Sequence, residues 1–161
     1  MHERSIQASY RVYDSISDMF AEDQELLTLA RDSLSRSYAP YSNFQVAAAA
    51  RMQGGEILVG TNQENAAYGE CLCAEQNVLA NAGSNRFGEP VTALAVTARH
   101  SERKMDYPVT PCGACRQVMR EHEDRNKHHI RVILQGESGE IFVFETVKDL
   151  LPLSFSSKDI L

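Results

Sequence analysis

Two short stretches far apart in the chain, Cys73-Ala74-Glu75 and Pro111-Cys112-Gly113-Ala114-Cys115, constrain the fold more than any other feature. Three thiols and one carboxylate in these positions make chemical sense together if the fold brings the stretches into contact. Cys112 and Cys115 are three residues apart, so on a helix their side chains lie roughly 60° apart around the axis and can face one ion. Gly113 and Ala114 let the backbone come close. Pro111 is tolerated just ahead of a first helical turn, whose N–H groups have no intrahelical partner in any case. Cys73 and Glu75, two apart, would diverge by roughly 200° inside a helix. Both reach one site only if Cys73 stands at the helix start, where the backbone is still extended. The apolar residues Val78, Leu79 and Ala82 support a helix beginning there. The expectation is two helix N-termini meeting at one metal ion.

Such a meeting point suits thiolates. Each helix N-terminus presents unpaired N–H donors and about half a positive charge, which stabilise anionic sulfur. Three protein ligands, Cys73, Cys112 and Cys115, leave a fourth position open to water, the mark of a catalytic zinc. Zinc lowers the pKa of such a water toward ~7, and a carboxylate beside it, Glu75, can take and return the proton. Two other readings use the same residues. Cys71 could complete a closed four-thiolate structural site, although small structural zinc modules rarely have this much other core. Cys112-Gly113-Ala114-Cys115 could be a redox pair, which leaves Cys73 and Glu75 without a role. In the catalytic reading Cys71 is a buried small hydrophobe.

Composition narrows the class of partner. With 161 residues, 43% apolar and 24% charged, the chain reads as an ordinary soluble domain able to bury a core without staples. A net charge of −6 disfavours a polynucleotide partner, which would need a basic surface, and suits a small neutral substrate. No apolar run is long enough to span a membrane, and the charged N-terminus lacks the apolar centre of a signal peptide. Four cysteines without a disulfide-like framework fit a reducing, cytoplasmic compartment.

Along the chain, residues 1–21 read as an N-terminal extension, a short helix or packing arm on the spacing of Val12, Ile16, Met19 and Phe20. Residues 22–161 form the main domain. Leu26, Leu27, Ala30 and Leu34 follow a helical period that stops before Pro40. Residues 44–52 and 57–60 read as strands around a Gln53-Gly54-Gly55-Glu56 turn. The run Ala47–Ala50 is small enough to admit a helix or ligand close to the sheet. Asn62 and Glu64, two apart in an extended segment, share a face; the pair reads either as a solvated loop or as a holder for the hydroxyls of a sugar. The first zinc helix runs from Cys73 to about Ala82 and is closed by Gly83. A strand over 91–97, a loop over the site at 99–110, the second zinc helix at 112–123 and strands at 130–134 and 141–144 follow. His122, His128 and His129 sit in a charged connection and read as solvated. The order predicts an α/β fold with helices on both faces of a mixed five-stranded sheet.

These motifs, in this order, resemble the cytidine deaminases, specifically the small three-cysteine zinc type. The resemblance runs from about Leu26 to Ile160 and includes Tyr38-Ala39-Pro40-Tyr41-Ser42-Asn43-Phe44, the 60–68 segment with Asn62 and Glu64, Cys73-Ala74-Glu75, the Pro111–Gln117 stretch and Leu150-Leu151-Pro152. It implies a three-layer α/β/α sandwich and a homotetramer with shared active sites. It also implies one Zn2+ per subunit and hydrolytic deamination of cytidine and 2′-deoxycytidine in pyrimidine salvage. In that scheme Glu75 is the catalytic acid–base. Asn62 and Glu64 take the ribose, the Ala74 N–H faces the base carbonyl, and Phe44 and Phe155 flank the base, Phe155 reaching in from a neighbouring subunit. The partner is a free nucleoside, with no nucleic acid and no membrane. Three departures bear on substrate range and charge. Gln76 stands where the three-cysteine branch usually has Arg, with Arg116 as a substitute source of positive charge. Ala47 stands where Gly is usual and Ala50 where a larger apolar residue is common. The first twenty residues and the 99–110 loop are additional. A modified or antibiotic cytosine nucleoside as substrate, of the blasticidin type, and a non-catalytic zinc-stabilised binding protein are the alternatives.

Overall fold

A computed structural model describes residues 1–160. Among the described residues the strands and α-helices are β1 (Arg11–Tyr13), α1 (Ala21–Ser33), β2 (Phe44–Met52), β3 (Ile57–Thr61), α2 (Ala74–Asn85), β4 (Val91–His100), α3 (Gly113–Asn126), β5 (Arg131–Gln135) and β6 (Ile141–Phe144). The strands form one mixed sheet in the order β1-β6-β5-β4-β2-β3. Only β4 and β5 run parallel, joined by α3 as the crossover; the other neighbours are antiparallel.

The layers follow from strand alternation. Ala49, Ala93, Ala95, Ile133, Ile141 and Val143 point to one face and bury Leu26, Leu27 and Ala30 of α1. Ala48, Ala50, Leu94, Val96, Val132 and Leu134 point to the other and bury Val78, Leu79 and Ala82 of α2 and Met119 of α3. The sandwich therefore has α1 on one side and α2 with α3 on the other, as expected. All four alanines of the 47–50 run are fully buried. Their small size lets helices approach β2 from both faces.

The sheet has six strands rather than the expected five. The additional strand is β1, which pairs antiparallel with β6 through Arg11–Val143 and Tyr13–Ile141. Tyr10 packs over Phe142 and Phe144, with ring centroids 4.8 and 5.1 Å apart, and Arg11 meets Glu145 at 3.2 Å. The helical spacing around Ile16 yields only a three-residue 3-10 turn, Ile16–Asp18. β1 is an edge strand whose pairing is supplied by a segment about 130 residues away in sequence, which no local periodicity encodes.

Three other expectations are corrected in whole or in part. Gly83 does not close α2; it lies inside the helix, which continues to Asn85. A Cβ at Gly83 would stand 3.2 Å from Arg125 Nη2 and 3.7 Å from His122 Cε1, so the glycine makes room for α3 side chains crossing α2. For the same reason His122 is buried, not solvated. The 99–110 segment begins as the end of β4, and its middle, residues 105–107, folds against the β5–β6 turn: Met105 is buried, and its carbonyl accepts from Glu137 N at 2.7 Å. Among the described residues no helix is long and apolar enough to cross a membrane.

Candidate active site

The packing of α2 and α3 on one sheet face brings their N-termini together. Cys73 is the N-cap of α2 (φ −71, ψ 152) and Cys112 the N-cap of α3 (φ −65, ψ 166), both extended. This is the geometry that lets Cys73 and Glu75 serve one point in spite of their two-residue spacing. The seat of α2 is set by Gly60 on β3, which lies directly beneath the Ala74 carbonyl and the Val78 backbone.

The Sγ atoms of Cys73, Cys112 and Cys115 lie within 4.8 Å of one another, and those of Cys112 and Cys115 are 3.5 Å apart. Tetrahedral bonds of ~2.3 Å would set sulfurs about 3.8 Å apart, so the donors stand close to the spacing zinc demands. Cys115 is fully buried, Cys73 half-buried and Cys112 exposed. The thiols share protons: accepting from Cys115 lowers the Cys73 pKa to about 7, and the same bond together with burial drives Cys115 strongly upward. A cation of matching size replaces those protons. Cys71 is outside the cluster. It is half-buried rather than fully buried, and its sulfur interacts with the Asn65 N–H at 3.3 Å. The geometry therefore gives three sulfurs and no fourth, against the closed four-thiolate arrangement.

Glu75 is only 5% exposed. Burial pushes its carboxyl above the ordinary range, partly offset by its own backbone N–H and by the adjacent Cys115 thiol. The carboxyl is thus buried against the thiol cluster and holds its proton more readily than an exposed one would.

The cluster opens into a pocket of about 260 Å3. Phe44, Asn62, Glu64, Cys73, Ala74 and Glu75 all line it, together with Cys112. Val46, Leu72 and Val96 add apolar wall that the sequence reading missed, as it did Cys71, whereas Val109 and Thr110 come from the end of the 99–110 segment expected to lie over the site. Val46 was recoverable, since it shares the face of Phe44 two residues earlier. Phe155 does not line the pocket of its own chain; the residue is 60% exposed, and its carbonyl accepts from Gln117 Nε2 at 3.0 Å.

Asn62 and Glu64 have structural partners too. Asn62 Oδ1 accepts from Val46 N (2.8 Å), and its Nδ2 donates to the Phe44 carbonyl (2.9 Å). Glu64 accepts from Tyr41 N (2.9 Å), Ser42 N (3.3 Å) and Ser42 Oγ (2.5 Å). Burial would raise the Glu64 pKa, but these hydrogen bonds hold it below the usual carboxylate range. Ser42 Oγ in turn accepts from Phe44 N at 3.1 Å, so Glu64 and Phe44 are fixed through one hydroxyl. Arg116 donates to the carbonyls of Pro111 and Leu150, each at 2.8 Å, and thereby clamps the residue preceding Cys112.

Comparison with known proteins meets this geometry from outside. Residues 20–128 match the family model described as the cytidine and deoxycytidylate deaminase zinc-binding region. A cytidine deaminase of Halalkalibacterium halodurans is 41% identical over 136 residues, covering 84% of this chain and 96% of the relative. A probable cytidine deaminase of Dictyostelium discoideum is 31% identical over 140 residues, covering 87% and 88%. Among solved structures, a cytidine deaminase from Burkholderia pseudomallei superposes with a TM-score of 0.72 at 37% identity, covering 85% of this chain and all of the other. One from Mycobacterium tuberculosis gives 0.65 at 30% identity, covering 85% and 99%. Sequence, fold and metal-binding thiols thus agree, and the chain belongs to the zinc-dependent cytidine and deoxycytidylate deaminase family.

Proposed function

We propose that this chain catalyses the hydrolytic deamination of cytidine and 2′-deoxycytidine to uridine and 2′-deoxyuridine, releasing ammonia. The observation that carries the reading is a cluster of three cysteines with no fourth sulfur, two of which line a largely apolar pocket beside the buried Glu75. Cys73, Cys112 and Cys115 would hold the zinc, which when bound supplies the Lewis acidity that makes a water reactive near neutral pH.

The remaining work falls to the chain's own groups. Glu75 takes one proton from the attacking water and passes it to N3 of the pyrimidine as the C4–O bond forms. It then carries the second water proton to the C4 amino group, and the C4–N bond breaks to release ammonia. The Ala74 N–H opens α2 without an intrahelical acceptor and is free to bind the base carbonyl. Phe44, Val46 and Leu72 offer apolar contact to the base. Asn62 and Glu64 keep unused donor or acceptor capacity for ribose hydroxyls. The exposed Phe155 is assigned to the pocket of a second copy, within a homotetramer that shares its active sites. A neutral nucleoside fits a chain of net charge −6 better than a polynucleotide or an anionic membrane does, and the reading places the enzyme in the cytoplasm.

The test is absorbance-monitored turnover of cytidine, 2′-deoxycytidine, a blasticidin-type nucleoside and free cytosine by the zinc-loaded protein. The expected result is rapid loss of the two ordinary nucleosides and little of the others. Glu75→Gln should lower kcat by about 10²–10⁴-fold while zinc stays near one per chain. Full zinc with no turnover of any nucleoside would overturn the proposal.

A further inference from the structure

At the far end of α3 from the cysteines lies a second cavity, of about 330 Å3, that shares no lining residue with the first. The two ends of a 14-residue helix are about 20 Å apart at ~1.5 Å per residue. The sequence has four lysines, and three of them, Lys127, Lys148 and Lys158, line this cavity with Arg120, His128 and His129. They come from three separate elements: the C-cap of α3, the 3-10 turn Val147–Asp149 and the 3-10 turn Ser157–Asp159. Lys127 and His128 have a reason to be there in the negative end of the helix dipole. Lys148 and Lys158 do not.

The carboxylates nearby are already engaged. Asp124 pairs with Arg120. Glu123 is buried and accepts from Ile130 N and Val147 N at 2.9 Å each, and from Thr146 Oγ1. Asp159 turns back to cap Ser156 through its N–H at 2.7 Å and its hydroxyl at 3.0 Å. Among the described residues none of the three lysines forms an ion pair. The lining carries four permanent cations against two carboxylates, in a chain whose net charge is −6. Lys127 also sits in the left-handed region (φ 51), where glycine or asparagine is the usual helix terminator. His128 Nδ1 is 2.7 Å from the His129 carbonyl and donates to it, which leaves Nε2 as the free ring nitrogen.

We propose that this cavity binds a compact polyanion bearing two or more phosphate groups. Three rotatable ammonium groups without fixed partners match phosphate oxygens as point charges. The volume is at the lower end for small-ligand sites, ~300–1,000 Å3, which suits a small phosphorylated molecule. The acidic remainder of the surface disfavours an extended polynucleotide.

The experiment is calorimetric titration of the full-length zinc-loaded protein with inorganic pyrophosphate, and separately with orthophosphate, at constant ionic strength. The expected result is one saturable site per chain, at least tenfold tighter for pyrophosphate. Lys148→Ala and Lys158→Ala, both at exposed positions, each weaken it at least tenfold. Lys104→Ala, the fourth lysine and outside the cavity, leaves it unchanged, and zinc content is the same before and after. Absence of saturable heat, equal loss in the Lys104 variant, unaltered binding in the two cavity variants, or heat that tracks lost zinc would each overturn the proposal.

Discussion

Gly60→Ala is a substitution outside the pocket lining whose effect can be worked from the structure. Gly60 is buried on β3, paired with Ala48 of β2. A Cβ there would stand 2.6 Å from Val78 N, 2.8 Å from the Ala74 carbonyl oxygen and 2.9 Å from Val78 Cβ. Two of these three atoms are backbone of α2, so no side-chain rotation relieves the clash. Moving Val78 N from 2.6 Å to the 3.4 Å of ordinary contact lifts α2 by about 0.8 Å. That helix carries Cys73 and Glu75 at its start, so the lift alters the metal cluster and the proton carrier together. Overpacking of this kind costs about 1–3 kcal/mol, which lowers Tm by roughly 3–10 °C in a protein of this size. A misplacement near 1 Å costs on the order of 10²-fold in rate. The variant should therefore show kcat/KM for cytidine down about a hundredfold, reduced zinc content and the stated fall in Tm, read by steady-state kinetics, metal analysis and calorimetry. Wild-type rate together with wild-type Tm would refute the argument that the glycine seats the helix.

Two further predictions concern the polar interior of α3. Glu123→Ala leaves the buried N–H groups of Ile130 and Val147 without an acceptor, and urea unfolding should show a loss of about 3 kcal/mol. Glu123→Gln, which keeps one acceptor oxygen, should lose roughly half as much, and equal losses would contradict the hydrogen-bond account. Burial and the neighbouring Arg125 lower His122 from 6.5 to about 4, so between those pH values the unfolded chain holds a proton that the folded one does not. Stability from this group is complete above pH 6.5 and is lost as pH falls toward 4. His122→Gln should flatten the Tm-versus-pH curve across that window, and an unchanged slope would count against the assignment.

What could be read from the sequence, and what could not, divides along the range of the interactions. That Cys73 and Cys112 each open a helix was legible because helix-start signals are local; that the two stretches meet was carried by the resemblance to the deaminases. Also legible were the strands over 44–52, 57–60, 91–97, 130–134 and 141–144, short apolar runs bounded by turn residues. β1 was not legible, because edge-strand pairing with β6 is long-range and the spacing of Val12, Ile16, Met19 and Phe20 imitates a helix. Gly83 was misread as a terminator, since a glycine that makes room for Arg125 and His122 looks in sequence like one that ends a helix. The solvated reading of His122 failed for the same reason. The hydrogen bonds that tie Asn62 and Glu64 to the 41–46 segment, and the gathering of three lysines at the end of α3, exist only once distant turns are folded together.

The central claim concerns how many sulfurs meet at the junction of α2 and α3. X-ray absorption at the zinc edge on the loaded wild-type protein, alongside Cys71→Ser, counts them. The expected spectrum has three sulfur neighbours near ~2.3 Å and one lighter oxygen neighbour, unchanged in the Cys71 variant. Four sulfurs in the wild type, falling to three in Cys71→Ser, would mean a closed structural site.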